Sequence, residues 1–261
     1  MDKNKASYKL KGLPRIYCIN LDAKPDRWQW MEEQFKYWDI ENYERVSAYD
    51  GREDDLSDIL KGRYPDNMSS GEVGCVTSHL KTMKHWLETT DEPCMIMMED
   101  DCDLSTVSHW PFTWKDFYAK VPYDYDVVQL AIINPGEIHA RLHKRFVNDF
   151  STACYMITRH HAEKLVRLHC RDGKYNLDQG SKPRAVADDL IYNSGNAYAI
   201  PLFLYKIALG SDIHDIHIDV FHKSSHDGLW NFWNNQAIDM NWTEFFDYDP
   251  FIGRLPPGMR V

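Results

Sequence analysis

Short apolar runs alternate along the chain with longer stretches whose apolar residues recur three and four positions apart, the pattern of buried strands followed by amphipathic helices. Ile16-Tyr17-Cys18-Ile19 predicts a first strand, ending at Asn20-Leu21-Asp22. Pro25 then suits a first helical turn, and Trp28, Met31, Phe35 and Trp38 give the segment up to about residue 38 one apolar face. Tyr43 to Tyr49 reads as a second strand closed by Asp50-Gly51, and 52–68 as a charged loop with one short helix. Ser69-Ser70-Gly71-Glu72 has capping-box spacing, and Leu80, Met83 and Leu87 carry a helix over about 72–88. Further strands are expected at 125–131, 153–158 and 197–206, the last with Pro201 demanding an edge or a bulge. Ala162, Leu165, Val166 and Leu168 form the packing face of a helix after the second of these. Residues 171–184 read as a polar loop.

The run Cys94-Met95-Ile96-Met97-Met98 breaks this pattern, because it leads straight into Glu99, Asp100, Asp101 and Asp103. Leaving such a cluster unpaired in the core would cost too much. The strand therefore carries the acids out at its C-terminal end, where an open α/β sheet places its ligand crevice. Closely spaced carboxylates there suit a hard divalent cation and, through it, a phosphate group. A solvated acidic turn is the plainer reading of the same residues. Ala185-Val186-Ala187 likewise leads into Asp188-Asp189, a second pair able to take a proton from an acceptor or to serve as an N-terminal helix cap.

Composition narrows the classes. Forty acidic against thirty basic residues give a net charge of −10, which disfavours nucleic acid and anionic membrane as general partners. No segment approaches the roughly 20 apolar residues of a bilayer span, and MDKNKASYKLKGLPR has no signal-type apolar run. A soluble cytoplasmic protein, or one peripheral to a membrane, is expected. The six cysteines are dispersed without a CxxC pair, which fits a reducing compartment and argues against structural zinc. Arg141, His143, Lys144 and Arg145 read as a solvated basic face in preference to a contact surface for an anionic acceptor. From about residue 210 the tail is rich in His and Trp (His214, His217, His222, His226, Trp230, Trp233, Trp242), short of regular pattern, and expected to fold over the body as a lid or clasp. With no repeat or linker, one domain over 1–261 is expected.

Taken in order, several segments resemble glycosyltransferase family 25, which includes bacterial lipooligosaccharide and procollagen galactosyltransferases. They are Ile16 to Asp22 with Asp26-Arg27 behind them, Arg45 to Gly51, Gly71 to Leu80, Met98-Glu99-Asp100-Asp101, and Ala153 to Ile157 before Ala162 to Leu165. The resemblance covers roughly 14–205. It implies a GT-A type, Rossmann-like nucleotide-binding α/β/α sandwich with a mixed sheet, and an inverting, metal-dependent transfer of a hexose from a UDP-sugar to a glycan or other hydroxyl acceptor. By the same resemblance Asn20, Asp22, Arg27, Ala48, Asp50, Ser78 and His79 would line the nucleotide pocket, and Glu99-Asp100-Asp101 would bind Mn²⁺ or Mg²⁺ and the donor diphosphate.

Inverting chemistry then needs charge stabilisation at the leaving diphosphate and a carboxylate base for the acceptor hydroxyl. Asp101 is expected as principal metal ligand with Glu99 and Asp103 in support, and His222 is the tail histidine named to complete the shell. Asp189, with Asp188 as the alternative, is expected as base. Two other readings stay open: a metal-dependent phosphohydrolase acting on nucleotide sugars, since acidic strand ends serve that chemistry too, and a carbohydrate-binding protein, since aromatic faces stack on sugars.

Overall fold

The computed structural model describes residues 6–62, 64–134, 136, 138–177, 185–209 and 222–246. His214 and His217 lie outside these residues. Along the chain come β1 (Ile16–Asn20), α1 (Pro25–Tyr37), β2 (Tyr43–Ser47), α2 (Ser70–Thr89), β3 (Cys94–Glu99), β4 (Cys102–Asp103), α3 (Trp114–Tyr118) and β5 (Val127–Ala131). They are followed by β6 (His143–Lys144), β7 (Cys154–Thr158), α4 (Arg159–His169), the hairpin β8 (Cys170–Arg171) and β9 (Lys174–Tyr175), α5 (Ala187–Tyr192), β10 (Ala197–Tyr205) and α6 (Lys223–Asn235).

The main sheet runs β2-β1-β3-β7-β5-β10-β4, with β6 paired to β10. β1 is parallel to β2 and β3, β7 is antiparallel to both β3 and β5, and β10 is parallel to β5. The C-terminal ends of β1, β2, β3, β5 and β10 therefore share one edge with the start of β7. Side chains alternate across the sheet, as the pleat requires. Ile96 and Met98 join one core with Met31, Phe35, Trp114, Phe117 and Trp233. Met95 and Met97 join the other with Val76, Leu80, Met83, Leu165 and Leu190. Helices α1, α3 and α6 thus cover one face, and α2, α4 and α5 the other. Burial on both faces is why β3 reads as an unbroken apolar run, each such side chain contributing about 1.5–3 kcal/mol.

Local chemistry explains the boundaries. α1 begins on Pro25 with Asp26 in its first turn. The capping box is complete: Ser69 Oγ accepts from Glu72 N–H, and Glu72 accepts from Ser69 N–H. α2 therefore starts at Ser70, two residues earlier than the apolar spacing predicts, and takes in both Gly71 and Gly74. The second is required by close approach, since a Cβ on Gly74 would lie 2.7 Å from both Gly51 N and Tyr49 O. Pro201 is accommodated by a register irregularity between Ala199 and Phe203 on β10, as a proline inside a strand requires.

Two expectations are corrected. The 141–145 stretch is a solvated face only in part: Arg141 is exposed, but His143 is 3% exposed and the Arg145 side chain 5%, because Asp149, Gln129 and Asp188 receive their polar groups. The tail also has more order than its pattern suggests. Ser225, Leu229 and Trp233, four apart, form the buried stripe of α6, and a 3-10 turn at Trp242–Phe246 adds Phe245 and Phe246 to the core. Among the described residues no helix is long and apolar enough to cross a membrane.

Candidate active site

The sheet's topology brings Asn20, Ser47 and Glu99 to one edge, and the turn after β3 follows with Asp100 and Asp101. A cleft opens there. Its lining includes Asn20, Arg27, Ala48, Asp50, Ser78 and Asp100 of the residues expected at a nucleotide pocket, together with Glu99 and Asp101. Ala48 reaches it because its N–H extends the β1 ladder to Asn20 O at 2.9 Å. Ser78 accepts from Tyr49 N–H at 2.8 Å and donates to Gly74 O, tying the post-β2 turn to α2. Asp50 accepts from Arg52 Nε at 3.1 Å, which holds its carboxyl below the usual range.

Asp22 and His79 lie outside the cleft lining. Asp22 is on the surface, accepting from Arg45 at 2.6 Å and Ser47 at 2.8 Å, which lowers its pKa. His79 is fully buried behind the cleft, with Nδ1 2.9 Å from Tyr155 Oη and Nε2 3.3 Å from Glu99 Oε1. The ring thus bridges the Tyr155 hydroxyl and the Glu99 carboxylate through its two nitrogens.

The acid run divides by role. Asp100 is saturated, accepting from Asn20 Nδ2 and pairing with the Arg27 guanidinium, each at 2.6 Å. Arg27 thus rests on the acids, reaching Asp101 Oδ2 at 3.4 Å as well. Burial opposes charge on Glu99, yet hydrogen bonds from His79 and Thr152 and the nearby Arg27 hold its pKa below the usual value. Asp101 goes the other way: burial, then the Glu99 and Asp100 charges, push it up to about 7 against the pull of Arg27. Its Oδ1 is buried without a hydrogen-bond partner. Asp103 is turned toward its own loop, where Oδ1 accepts from Ser105 N–H at 2.8 Å.

These residues fit a divalent cation. An orphaned carboxylate oxygen beside a second, ionised carboxylate is a repulsive arrangement that a bound cation would relieve. A softer set adjoins it: one donor atom each from Cys75, His79 and Glu99 lie within 4.8 Å of one another. Cys75 was not among the residues expected at the site. Its place four residues before His79 on α2 was the available signal, since that spacing puts both on one helix face. The Cys75 thiol is held protonated by burial and by the charges of Glu99 and Asp188, which leaves the oxygens as the donors suited to a hard ion.

Asp188 and Asp189 occupy the first turn of α5, with Val186 as the cap, so neither carboxylate caps the helix. Asp188 Oδ1 accepts from Ser151 N–H at 2.7 Å, next to the Thr152 that bonds Glu99. Burial raises its pKa, opposed by Arg145 and by the Ser151 bond. Asp189 accepts from Asn193 within its own helix at 3.2 Å. His222 stands at the N-cap position of α6 without a side-chain cap bond; its carbonyl accepts from Tyr205 Oη at 2.6 Å and its ring packs edge-on against Tyr205. That tyrosine ends β10, just before Lys206, whose N–H bonds Asp101 O at 2.7 Å.

A stretch of 94 residues is 29% identical to "Putative glycosyltransferase R655" of Acanthamoeba polyphaga mimivirus, covering 34% of this chain and 29% of that protein. The chain thus spans under a third of that relative's length. The crystal structure of A197 from STIV aligns with a TM-score of 0.39 at 11% identity, over 74% of this chain and 84% of that one. The model of glycosyltransferase family 25 (LPS biosynthesis protein) matches residues 13–179, more than half of the chain, and the protein belongs to that family, with its GT-A-like α/β fold.

Proposed function

We propose that this protein is a metal-assisted inverting hexosyltransferase, taking a hexose from a UDP-sugar and placing it on a hydroxyl of a glycan or similar acceptor. The observation that carries the reading is Asp101: a carboxylate with an unpartnered buried oxygen, beside ionised Glu99, in a cleft also lined by Ala48, Asp50 and Ser78. Asp101 and Glu99 would hold the cation, Mn²⁺ or Mg²⁺, through their carboxylate oxygens. Bound there, such an ion supplies positive charge against the charge that builds on the departing diphosphate. Arg27 pairs with Asp100 at 2.6 Å and reaches Asp101 at 3.4 Å, while Asn20 fixes Asp100 so that the turn keeps one shape.

The acceptor hydroxyl must lose a proton to a carboxylate on the far side of the sugar from the diphosphate. We assign that base to Asp188. It is the member of the pair held toward Glu99, whereas Asp189 is engaged by Asn193 on its own helix. A raised pKa favours a base working near neutral pH. All six cysteines are free thiols, which fits a cytoplasmic setting.

The test is a thermal-shift panel of nucleotide sugars and free nucleotides, with and without Mn²⁺, on the wild type and on Asp101→Ala. A ligand at a hundred times its dissociation constant adds about 2.7 kcal/mol of stability. The expected result is a Mn²⁺-dependent shift with a UDP-hexose that the variant lacks. A panel in which no nucleotide moves the midpoint under any metal condition would sink the reading.

A further inference from the structure

Asp188 lies in a helix of only six residues, which cannot by itself hold a carboxylate in one orientation. What holds it comes from other elements. Ser151, which donates its N–H to Asp188 Oδ1 at 2.7 Å, has a φ of 101°, a left-handed conformation costly for a residue with a Cβ. Its carbonyl is clamped by Gln129 Nε2 at 2.9 Å and by Tyr192 Oη at 2.9 Å, two donors that keep the strained residue in place.

Arg145 completes the clamp. Its guanidinium lies 3.9 Å from the same Asp188 oxygen, at 5% exposure. Nε donates to Gln129 Oε1 at 3.0 Å, NH2 donates to Asp149 O at 2.6 Å, and the plane lies 4.4 Å over the Tyr192 ring. Asp149 is in turn fixed by Asn134, His143 and Phe146 N–H. Only a planar, permanently charged group meets all these partners at once; a lysine offers neither the fork nor the stack. Arg145 does not line the donor cleft.

We infer that Arg145 is a positioning residue for sugar transfer, holding the Asp188 carboxylate charged and oriented toward the acceptor through a clamp shared with Gln129, Ser151 and Tyr192. This rests on Asp188 as the base. A buried arginine with several partners stabilises a fold in any case, so the test must separate support for the fold from action through Asp188.

The experiment is a double-mutant cycle on the full chain. It uses the UDP-hexose selected by the thermal-shift panel with Mn²⁺, water standing in for the acceptor hydroxyl, and UDP release as the readout. Arg145→Met is expected to lower kcat about tenfold or more when Asp188 is present, with donor KM changed less than about twofold. Added to Asp188→Asn, the same substitution should cost less than about twofold further. Arg145→Lys, which keeps a charge in the same space, carries the cycle if the methionine variant does not fold, and should give the same non-additivity with a smaller loss. Equal losses in both backgrounds would overturn the inference while leaving Asp188 as base. An Asp188→Asn enzyme with wild-type kcat would overturn the base assignment and the inference together.

Discussion

At the scale of single residues, the site is a set of carboxylates given different fates by their neighbours. Asp100 is neutralised by Arg27 and Asn20, Glu99 is kept ionised by His79 and Thr152, and Asp101 is left with a costly charge. The Asp101 pKa is raised from its ordinary 3.8 to about 7, so the native state holds a proton that the unfolded chain releases. Its contribution to stability is fully present below the unfolded pKa and is lost as pH rises through the folded one, that is, between about 4 and 7. The metal-free Asp101→Asn variant should therefore lose less thermal stability than the wild type between pH 5 and pH 8, and gain nothing from Mn²⁺ at pH 8, where the wild type recovers. A denaturation series at several pH values with and without Mn²⁺ checks both. Parallel pH profiles for the two proteins would mean that Asp101 is ionised without strain. The acid run was legible in the sequence because an apolar strand ending in carboxylates has few physical outcomes. Arg145 was not legible, since nothing in Arg141-Leu142-His143-Lys144-Arg145 shows that Gln129, Asp149 and Asp188 wait to receive it.

At the scale of elements, strands and helices with a buried face were readable where periodicity was the deciding force. β1, α1, β3, β7 and β10 lie where their apolar positions put them, and the irregularity at Pro201 follows from its missing N–H. α6 was missed because its buried stripe includes a serine: Ser225 Oγ donates to Asn134 O at 2.9 Å, a long-range contact that apolar counting overlooks. The start of α2 was blurred by glycines whose purpose is tertiary. Gly74 lets the Tyr49–Gly51 turn lie against the helix, and that turn lines the cleft through Tyr49, Asp50 and Gly51. Gly74→Ala would gain helix propensity of about 1 kcal/mol in isolation. The two 2.7 Å contacts must reverse that gain, since both are backbone atoms that cannot turn aside. The expected outcome is lower stability together with weaker donor binding, read by thermal unfolding and donor titration. A variant that is more stable and binds the donor normally would show that the turn can move without consequence.

At the scale of the whole molecule, the layer on the α1–α3–α6 face is tied to the sheet by more than apolar contact. The irregular register on β10 leaves the carbonyls of Pro201 and Leu202 in need of donors. Trp233 Nε1 supplies Pro201 O at 2.9 Å, while Thr106 Oγ1 at 2.5 Å and Trp110 Nε1 at 3.3 Å supply Leu202 O. Trp233 is fully buried and stacks against Phe245, so one indole joins α6, the 3-10 turn after it and the central sheet. Trp233→Phe keeps most of the apolar volume and removes the donor, so its cost is that of an unsatisfied buried carbonyl, about 1–3 kcal/mol. Trp233→Ala adds the cavity and should cost about 3–5 kcal/mol. Trp233 does not line the cleft, so the folded fraction of Trp233→Phe should keep the Mn²⁺-dependent donor shift in full. Loss of that shift with the fold intact would mean that α6 reaches the site through β10, whose end at Tyr205 leads into the Lys206 N–H bonded to Asp101 O.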